Sequence, residues 1–290
     1  MRRIALFIDE PDWHARRLAA AIAERGGEAV PCSLRDCAFR LGEDGAGIDI
    51  PGFGGALPDA ALVRSIAAGS FEQVTLRLGL LHALAASGVP VINDARAIER
   101  CVDKSMTSFL LHRAGLPTPA TLVSESEAAA RRWRAARGET LVLKPLFGSR
   151  GRGLVRLAPE DVLPPREAYG GVRYLQRFVG RDGDWRDFRV MVIGGEPIAA
   201  MIRRGRSWIT NVGRGGRCEP VQMSQRLGAL GRAAVGAVGA DYAGVDLIED
   251  ENGALMILEV NSMPAWKGLQ SVAACEIAGH LAAHVLDRLG

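Results

Sequence analysis

The sequence predicts a mixed fold: an α/β unit at the N-terminus and α+β architecture beyond it. Three observations carry that expectation. Short apolar runs alternate with helical patterns over the first 93 residues. Strand-rich runs dominate from residue 140 onward, and two β-rich runs meet at Asn252-Gly253 near the C-terminus.

Residues 4–8 (IALFI) read as a first strand, stopped by Asp9 and Glu10. Residues 13–26 carry helical periodicity and end on Gly26-Gly27. The next clear strand is 61–63, followed by a helix over 73–87 and a strand over 89–92, entered through Gly88. Between them, 35–57 is rich in Gly and Asp and is expected to be loop with one short strand. This alternation predicts a small parallel sheet covered by helices.

After Asn93 the pattern changes. Residues 95–114 predict one helix or two joined ones, closed by Gly115 and the extended Leu116-Pro117-Thr118-Pro119. An amphipathic helix is expected over 125–137. Strands 140–145 and 154–156 then flank the run Gly148-Ser149-Arg150-Gly151-Arg152-Gly153. Further strands (174–179, 188–193, 197–203) lead to a helix over 224–239, a strand pair (244–249 and 254–260) and a last helix ending near Leu289. The chain divides on this reading into 1–93, 94–178 and 179–290, with no internal repeat.

Composition narrows the function. The 290 residues are 48% hydrophobic and 24% charged, ordinary for a globular protein of about two domains. A net charge of +3, spread along the chain, points away from nucleic acid and from anionic membranes. No apolar run reaches the roughly 18 residues of a membrane helix, and the run after Met1-Arg2-Arg3 is too short for an export signal. The five cysteines are odd in number and form no CxxC pair, so they read as reduced packing residues of a cytoplasmic protein. His280 and His284 are spaced like helical zinc ligands but lack a third ligand nearby, and a solvated helix face accounts for them.

The most informative stretch is GVDLIEDENGALMILEVN, residues 244–261. A two-residue turn at Asn252-Gly253 sets Glu251 against Ala254. Asp246 then lies opposite Glu259, with Asn261 on the same face. A solvated hairpin would tolerate two facing acids. Here the flanking residues are apolar on both faces (Val245, Leu247, Ile257, Leu258, Val260), which argues for burial, and buried carboxylates need a partner. A divalent cation with oxygen ligands, Mg²⁺ foremost, supplies one.

The glycine-rich run lacks the Lys-Ser/Thr ending of a Walker loop and opens no helix. Alone it is as well read as a mobile turn. Lys144, ending the apolar strand just before it, needs an anionic partner and favours a phosphate cradle to which Arg150 and Arg152 add charge. Lys104, Arg189 and Arg203 also sit beside apolar sequence, where a phosphate contact and a surface salt bridge are both open readings.

These residues resemble the RimK-type ATP-grasp ligases. The matching segments are NDARAIERCVDK, LVLKPLFGSRGRG, YLQRFV, DFRVMVIGGEPIAAMIRR, TNVGRGG, AGVDLIED and LEVNSMP, densest from Asn93 to the C-terminus. The resemblance implies an ATP-grasp fold behind a Rossmann-like (pre-ATP-grasp) domain, with the nucleotide between two α+β subdomains. By that resemblance Lys104 and Lys144 contact ATP, Gly148, Ser149, Arg150, Gly151 and Gly153 close over its phosphates, and Gln176, Arg177 and Phe178 belong to the adenine-reading hinge. Asp187 and Asn211 serve the nucleotide, while Lys144, Arg189 and Arg203 supply catalytic charge. Arg189, Arg203 and Arg214 face substrate, and Asp246, Glu259 and Asn261 match magnesium ligands, with Mn²⁺ as a substitute. Two positions depart from the family pattern: Arg177 replaces a usual Glu, and Ile209 stands where a basic residue is common.

The implied chemistry is activation of an acceptor carboxylate as an acyl phosphate and its joining to an amine, L-glutamate, with release of ADP. No protein nucleophile is needed, in keeping with the lack of a Ser-His-Asp or Cys-His set. The segment LVRSIAAGSFEQVTLRLGLLHAL most resembles ligases directed at small cofactors such as tetrahydromethanopterin; a peptide tail is the other acceptor. Arg64 in that segment is either an acceptor contact or a strand-end arginine in a surface pair. A dimer or tetramer is implied as well. Three rivals stand beside this reading. One is a glutathione-synthetase-like or carrier-protein ligase of the same fold, and another a non-catalytic ATP-binding relative. The third, a dinucleotide oxidoreductase, lacks the GxGxxG its first strand would require.

Overall fold

The computed structural model describes residues 1–42, 45–148 and 151–290, so the expected loop residues Ser149 and Arg150 lie outside the described residues. The opening apolar run forms β1 (Arg2–Phe7), fully buried from Ile4 onward. Helix α1 (Trp13–Ala23) follows, capped by the Asp12 carboxylate, which accepts from the Ala15 N–H. Strand β2 (Gly27–Cys32), the hairpin β3 (Ala38–Gly42) and β4 (Gly45–Asp49), β5 (Ala60–Val63), α2 (Phe71–Ala86) and β6 (Val91–Ile92) complete the N-terminal unit. Its sheet is parallel, in the order β2-β1-β5-β6.

Residues 95–114 form two helices, α3 (Ala95–Val102) and α4 (Lys104–Arg113). The break falls at Asp103, whose backbone is extended and whose carboxylate accepts from the N–H groups of Ser105 and Met106. Next come β7 (Thr121–Ser124), α5 (Glu127–Arg137), β8 (Leu141–Lys144), β9 (Val155–Leu157) and β10 (Arg173–Arg177). Their antiparallel sheet runs β7-β10-β8-β9. The C-terminal part contains β11 (Arg186–Ile193), β12 (Glu196–Arg204), β13 (Arg217–Pro220), α6 (Gln225–Val238), β14 (Tyr242–Glu249), β15 (Leu255–Asn261), α7 (Lys267–Gln270) and α8 (Ile277–Asp287). Its sheet is also antiparallel, in the order β13-β12-β11-β14-β15.

The β14–β15 pair places Asp246 opposite Glu259 as expected, but by a different route. The turn is longer than two residues. Glu249 pairs with Leu255, and the Asp250 carboxylate accepts from the N–H groups of Asn252 and Ala254. A bulge at Leu258 then shifts the register by one, so the two departures cancel at the acids.

Packing ties the parts together. Leu110 and Leu111 of α4 bury against Val190, Val245 and Ile257, so this helix belongs to the core of the C-terminal sheet. One face of the N-terminal sheet (Ile4, Leu6) and Leu18 of α1 share a core with Met191, Tyr242, Trp266 and Leu281. Each such side chain contributes about 1.5–3 kcal/mol on burial, whereas the exposed Arg17–Glu276 pair at the same junction adds at most about 1 kcal/mol. Apolar contact therefore seats the N-terminal unit on the C-terminal sheet.

Candidate functional site

The sheet of β7 to β10 and the five-stranded C-terminal sheet face each other across a cleft enclosing about 1020 Å³, open solvent included. One lysine stands on the first wall and a second reaches the cleft from α4. Lys144 ends β8 and is buried, and its Nζ donates to the Gln176 side-chain carbonyl at 2.6 Å. Burial pushes its pKa down to about 8; Glu259 opposes that shift, and the nearby Lys104 adds to it. Lys104, the first residue of α4, donates to the carbonyls of Gly148 (2.9 Å) and Leu146 (3.3 Å), and burial lowers its pKa too. Neither ammonium has a carboxylate within salt-bridge distance among the described residues.

The glycine-rich turn leans onto the opposite wall. Gly151 has φ +66°, and a Cβ there would sit 2.6 Å from Asn211 Oδ1 and 2.8 Å from Ile209, so only glycine allows this approach. The resemblance placed Asn211 near the phosphates; the fold sets it beside the glycine-rich turn.

Gln176, Arg177 and Phe178 line the cleft on β10 and just beyond. The Gln176 amide donates to Thr121 Oγ1 and Tyr174 Oη, which turns its carbonyl toward Lys144. Arg177, at the position that departs from the family pattern, reaches Met256 Sδ (3.2 Å) instead of an acid. Phe178 meets Trp185 and Trp208 edge-on, with the Arg156 guanidinium 4.1 Å from its ring centroid. Trp185 and Trp208 also line the cleft and were not anticipated from the sequence. Trp208 lies next to the TNVGRGG segment, the one local signal that pointed toward it.

The second wall concentrates charge in register. On β11 and β12, Asp187 pairs across from Arg203; on β11 and β14, Arg189 pairs across from Asp246. Arg203 grips Asp187 with two bonds (2.7 and 2.5 Å), and Thr210 Oγ1 donates to the same carboxylate. Arg189 grips Asp246 with two bonds of 2.7 Å, and Arg203 Nη2 reaches Asp246 Oδ2 at 2.9 Å. Burial raises the Asp246 pKa, but the two guanidiniums outweigh it and hold the carboxyl well below the usual range. For Asp187 burial wins, and its pKa is raised despite Arg203. Glu259 is raised by burial and by the charge of Asp246.

These groups can hold a divalent cation. Asp246 Oδ2 accepts from both arginines, whereas Oδ1 accepts only from Arg189 Nε and keeps a lone pair. Asn261 donates its amide to Glu259 Oε1 (3.2 Å) and to the Gly244 carbonyl, which leaves its Oδ1 without a partner among the described residues. Asp246, Glu259 and Asn261 thus offer three oxygens, a donor set suited to Mg²⁺. Among the described residues no group of three or more His, Cys, Asp or Glu is placed to hold a metal ion, and the third oxygen here is that of an amide.

Two expected substrate residues lie elsewhere. Arg214 is exposed in the turn before β13, away from the cleft lining. Arg64 is buried, 6% exposed, and bonds Tyr242 and the Pro264 carbonyl at the seat of the N-terminal unit; it is neither in the cleft nor in a surface pair. Strand-end position alone did not reveal that the C-terminal sheet covers it.

A cleft between two sheets, lined by two lysines and by opposed acids and arginines, defines an ATP-grasp protein. Residues 101–285 match the RimK-like ATP-grasp domain, and the chain belongs to that family. It is 32% identical over 307 residues to a tetrahydromethanopterin:alpha-L-glutamate ligase of Methanosarcina acetivorans, which covers 93% of this chain and 94% of that one. A ligase of the same name from Methanococcus maripaludis is 37% identical over 234 residues, 78% of each chain. Of solved structures, the ATP-grasp ligase PsnB complexed with minimal precursor superposes with a TM-score of 0.77 at 24% identity, over 99% of this chain and 98% of that one. A RimK domain protein from Sphaerobacter thermophilus gives 0.71 at 23% identity, over 98% and 99%. These structures share the fold, and PsnB has been captured with Mg and ADP. The chain is an ATP-grasp ligase of the carboxylate–amine class.

Proposed function

We propose that this ligase uses ATP and Mg²⁺ to join L-glutamate to an acceptor carboxylate. The single observation that carries the reading is the opposition of buried Asp246 and half-buried Glu259, with Lys144 and Lys104 lining the same cleft. An acceptor carboxylate oxygen attacks the γ-phosphorus, the bond to the β-phosphate oxygen breaks, and ADP leaves. Lys144 and Lys104 balance charge on the phosphates, while Arg203 and Arg189 lie on the side where the carboxylate must approach. A divalent cation held by Asp246, Glu259 and Asn261 would add neutralising charge at the β- and γ-phosphates. The glutamate amine then attacks the acyl carbon, phosphate departs with the carboxylate oxygen, and an amide remains. Gly151, packed close to Asn211, belongs to the turn that would keep water from the acyl phosphate.

The names of the relatives favour a small pterin-bearing acceptor; a peptide tail is the second reading, favoured by the precursor-bound neighbour. A cytoplasmic homo-oligomer completes the proposal. Among the described residues no helix is long and apolar enough to cross a membrane, and the five cysteines are free.

The test is ADP release with Mg²⁺, ATP and glutamate against a panel of pterin precursors, glutamyl-peptide tails and carrier-protein peptides. Acceptor-dependent release with a product heavier by one glutamyl unit supports the reading. Tight ATP binding with no turnover on any acceptor would favour the non-catalytic relative.

A further inference from the structure

The loop that leaves the cation site is held by its backbone, and the side chains that hold it come from the N-terminal unit. Asn93, fully buried just after β6, donates its amide to the carbonyls of Ser262 (2.5 Å) and Tyr242 (2.8 Å). Its Oδ1 accepts from the N–H groups of Asp241 and Tyr242, which fixes the orientation of the amide. Arg64, just after β5, donates Nη2 to the Pro264 carbonyl (2.9 Å) and Nη1 to Tyr242 Oη (3.2 Å), and lies 4.3 Å from the Trp266 ring centroid. His14 of α1 faces Asp12 with Nδ1 (2.7 Å) and accepts the Trp266 N–H at Nε2 (3.1 Å).

Ser262, Pro264 and Trp266 alternate along one segment, so three elements of the N-terminal unit grip successive backbone groups of the same loop. A buried loop needs such partners, because it has no ladder to satisfy its own N–H and C=O groups. Stability alone does not explain the choice of Arg64. It has no salt bridge among the described residues, and its Nε is buried without a hydrogen-bond partner. A buried guanidinium served so poorly is costly, and an apolar side chain would pack there more cheaply. What the grip accomplishes is local: Asn261 is the last residue of β15, paired only with Gly244, and Ser262 follows it directly.

We propose that His14, Arg64 and Asn93 are positioning residues for the divalent cation: by pinning residues 262–266 they hold Asn261 against Glu259. This rests on the reading that Asp246, Glu259 and Asn261 bind the cation. Groups behind metal ligands set their orientation, and losing one weakens metal affinity about 10- to 100-fold.

The experiment titrates Mn²⁺ into the full chain in the presence of ADP by calorimetry, with the melting temperature measured in parallel. Arg64→Met, which keeps an apolar stem but no donors, is expected to raise the Mn²⁺ Kd about 10- to 100-fold, with ADP binding in EDTA unchanged. Arg64→Lys, with one donor left for the Pro264 carbonyl, should recover part of the loss. Leu157→Ala, in the separate core of the central sheet, should lower the melting temperature and leave the Mn²⁺ Kd alone. If Arg64→Met folds poorly, His14→Phe against His14→Gln reads the same grip: Gln retains an acceptor for the Trp266 N–H and should bind Mn²⁺ normally, while Phe should not. Wild-type Mn²⁺ affinity in Arg64→Met or His14→Phe, with only the melting temperature lowered, would overturn the inference. Wild-type affinity in Glu259→Gln would instead overturn the cation site itself, whatever the Arg64 variants show.

Discussion

The two walls of the cleft handle buried charge in opposite ways. Beside the glycine-rich turn the cations have neutral partners: Lys144, ending β8, is held by an amide oxygen, and Lys104, opening α4, by backbone carbonyls. On the C-terminal sheet the acids Asp187 and Asp246 are gripped by the guanidiniums of Arg203 and Arg189. The first wall therefore keeps uncompensated positive charge for an incoming triphosphate, at the cost of depressed lysine pKa values. The second pairs Asp187 and Asp246 with its own arginines and leaves Glu259, its pKa raised by burial and by the charge of Asp246, without an arginine among the described residues. The division suits a ligase that must bring an anionic nucleophile to an anionic phosphate.

Removing the acids should break this comparison most severely. Asp246→Asn and Glu259→Gln are each expected to cut acceptor-dependent ADP release by on the order of a thousandfold, as read by a coupled ADP assay. Lys144→Met should come next, lowering kcat/KM for ATP by on the order of a hundredfold. Lys144→Arg should not restore it, because the buried site beside Gln176 fits an ammonium and not a planar fork.

A smaller effect sharpens the contrast through pH. The folded Lys144 pKa of about 8 lies below the unfolded value near ~10.4. The unfolded chain then binds more protons between those values, so the free protein gains stability as pH climbs from about 8 toward ~10.4 and loses it as pH falls back through 8. ATP needs the charged lysine, so the rise in melting temperature on adding ATP should shrink over the same window. Lys144→Met should flatten both trends in a thermal-shift series. The mildest prediction concerns Gly151→Ala: its Cβ would strike Asn211 and Ile209, so the KM for ATP should rise severalfold, with strain of about 1 kcal/mol or more.

Much of this arrangement is legible in the sequence because buried strands advertise themselves. The runs holding Lys144, Arg189 and Asp246 are apolar and β-prone, and the positions of their charged residues stand out against that background. The strands that went unread, β2, β7 and β13, all lie at the edge of their sheets. Their half-exposed faces relax the hydrophobic pattern, and β2 carries Pro31, which an edge tolerates. The hairpin of β3, exposed throughout, and β4 was read as loop with one short strand for the same reason. The facing of Asp246 and Glu259 was foreseen through a turn that the chain does not make, rescued by a bulge at Leu258 that nothing in the local pattern announced. Arg64 escaped because its environment is supplied by Tyr242, Pro264 and Trp266, nearly two hundred residues away.

The central claim is that an acceptor carboxylate attacks ATP and an amine then displaces phosphate. The most direct measurement follows oxygen. An acceptor labelled with ¹⁸O in its carboxylate is turned over with ATP, Mg²⁺ and glutamate, and the released phosphate is weighed by mass spectrometry. The account predicts one ¹⁸O atom in each phosphate formed and its loss from the product amide. Unlabelled phosphate from a reaction that still yields the glutamyl product would contradict it.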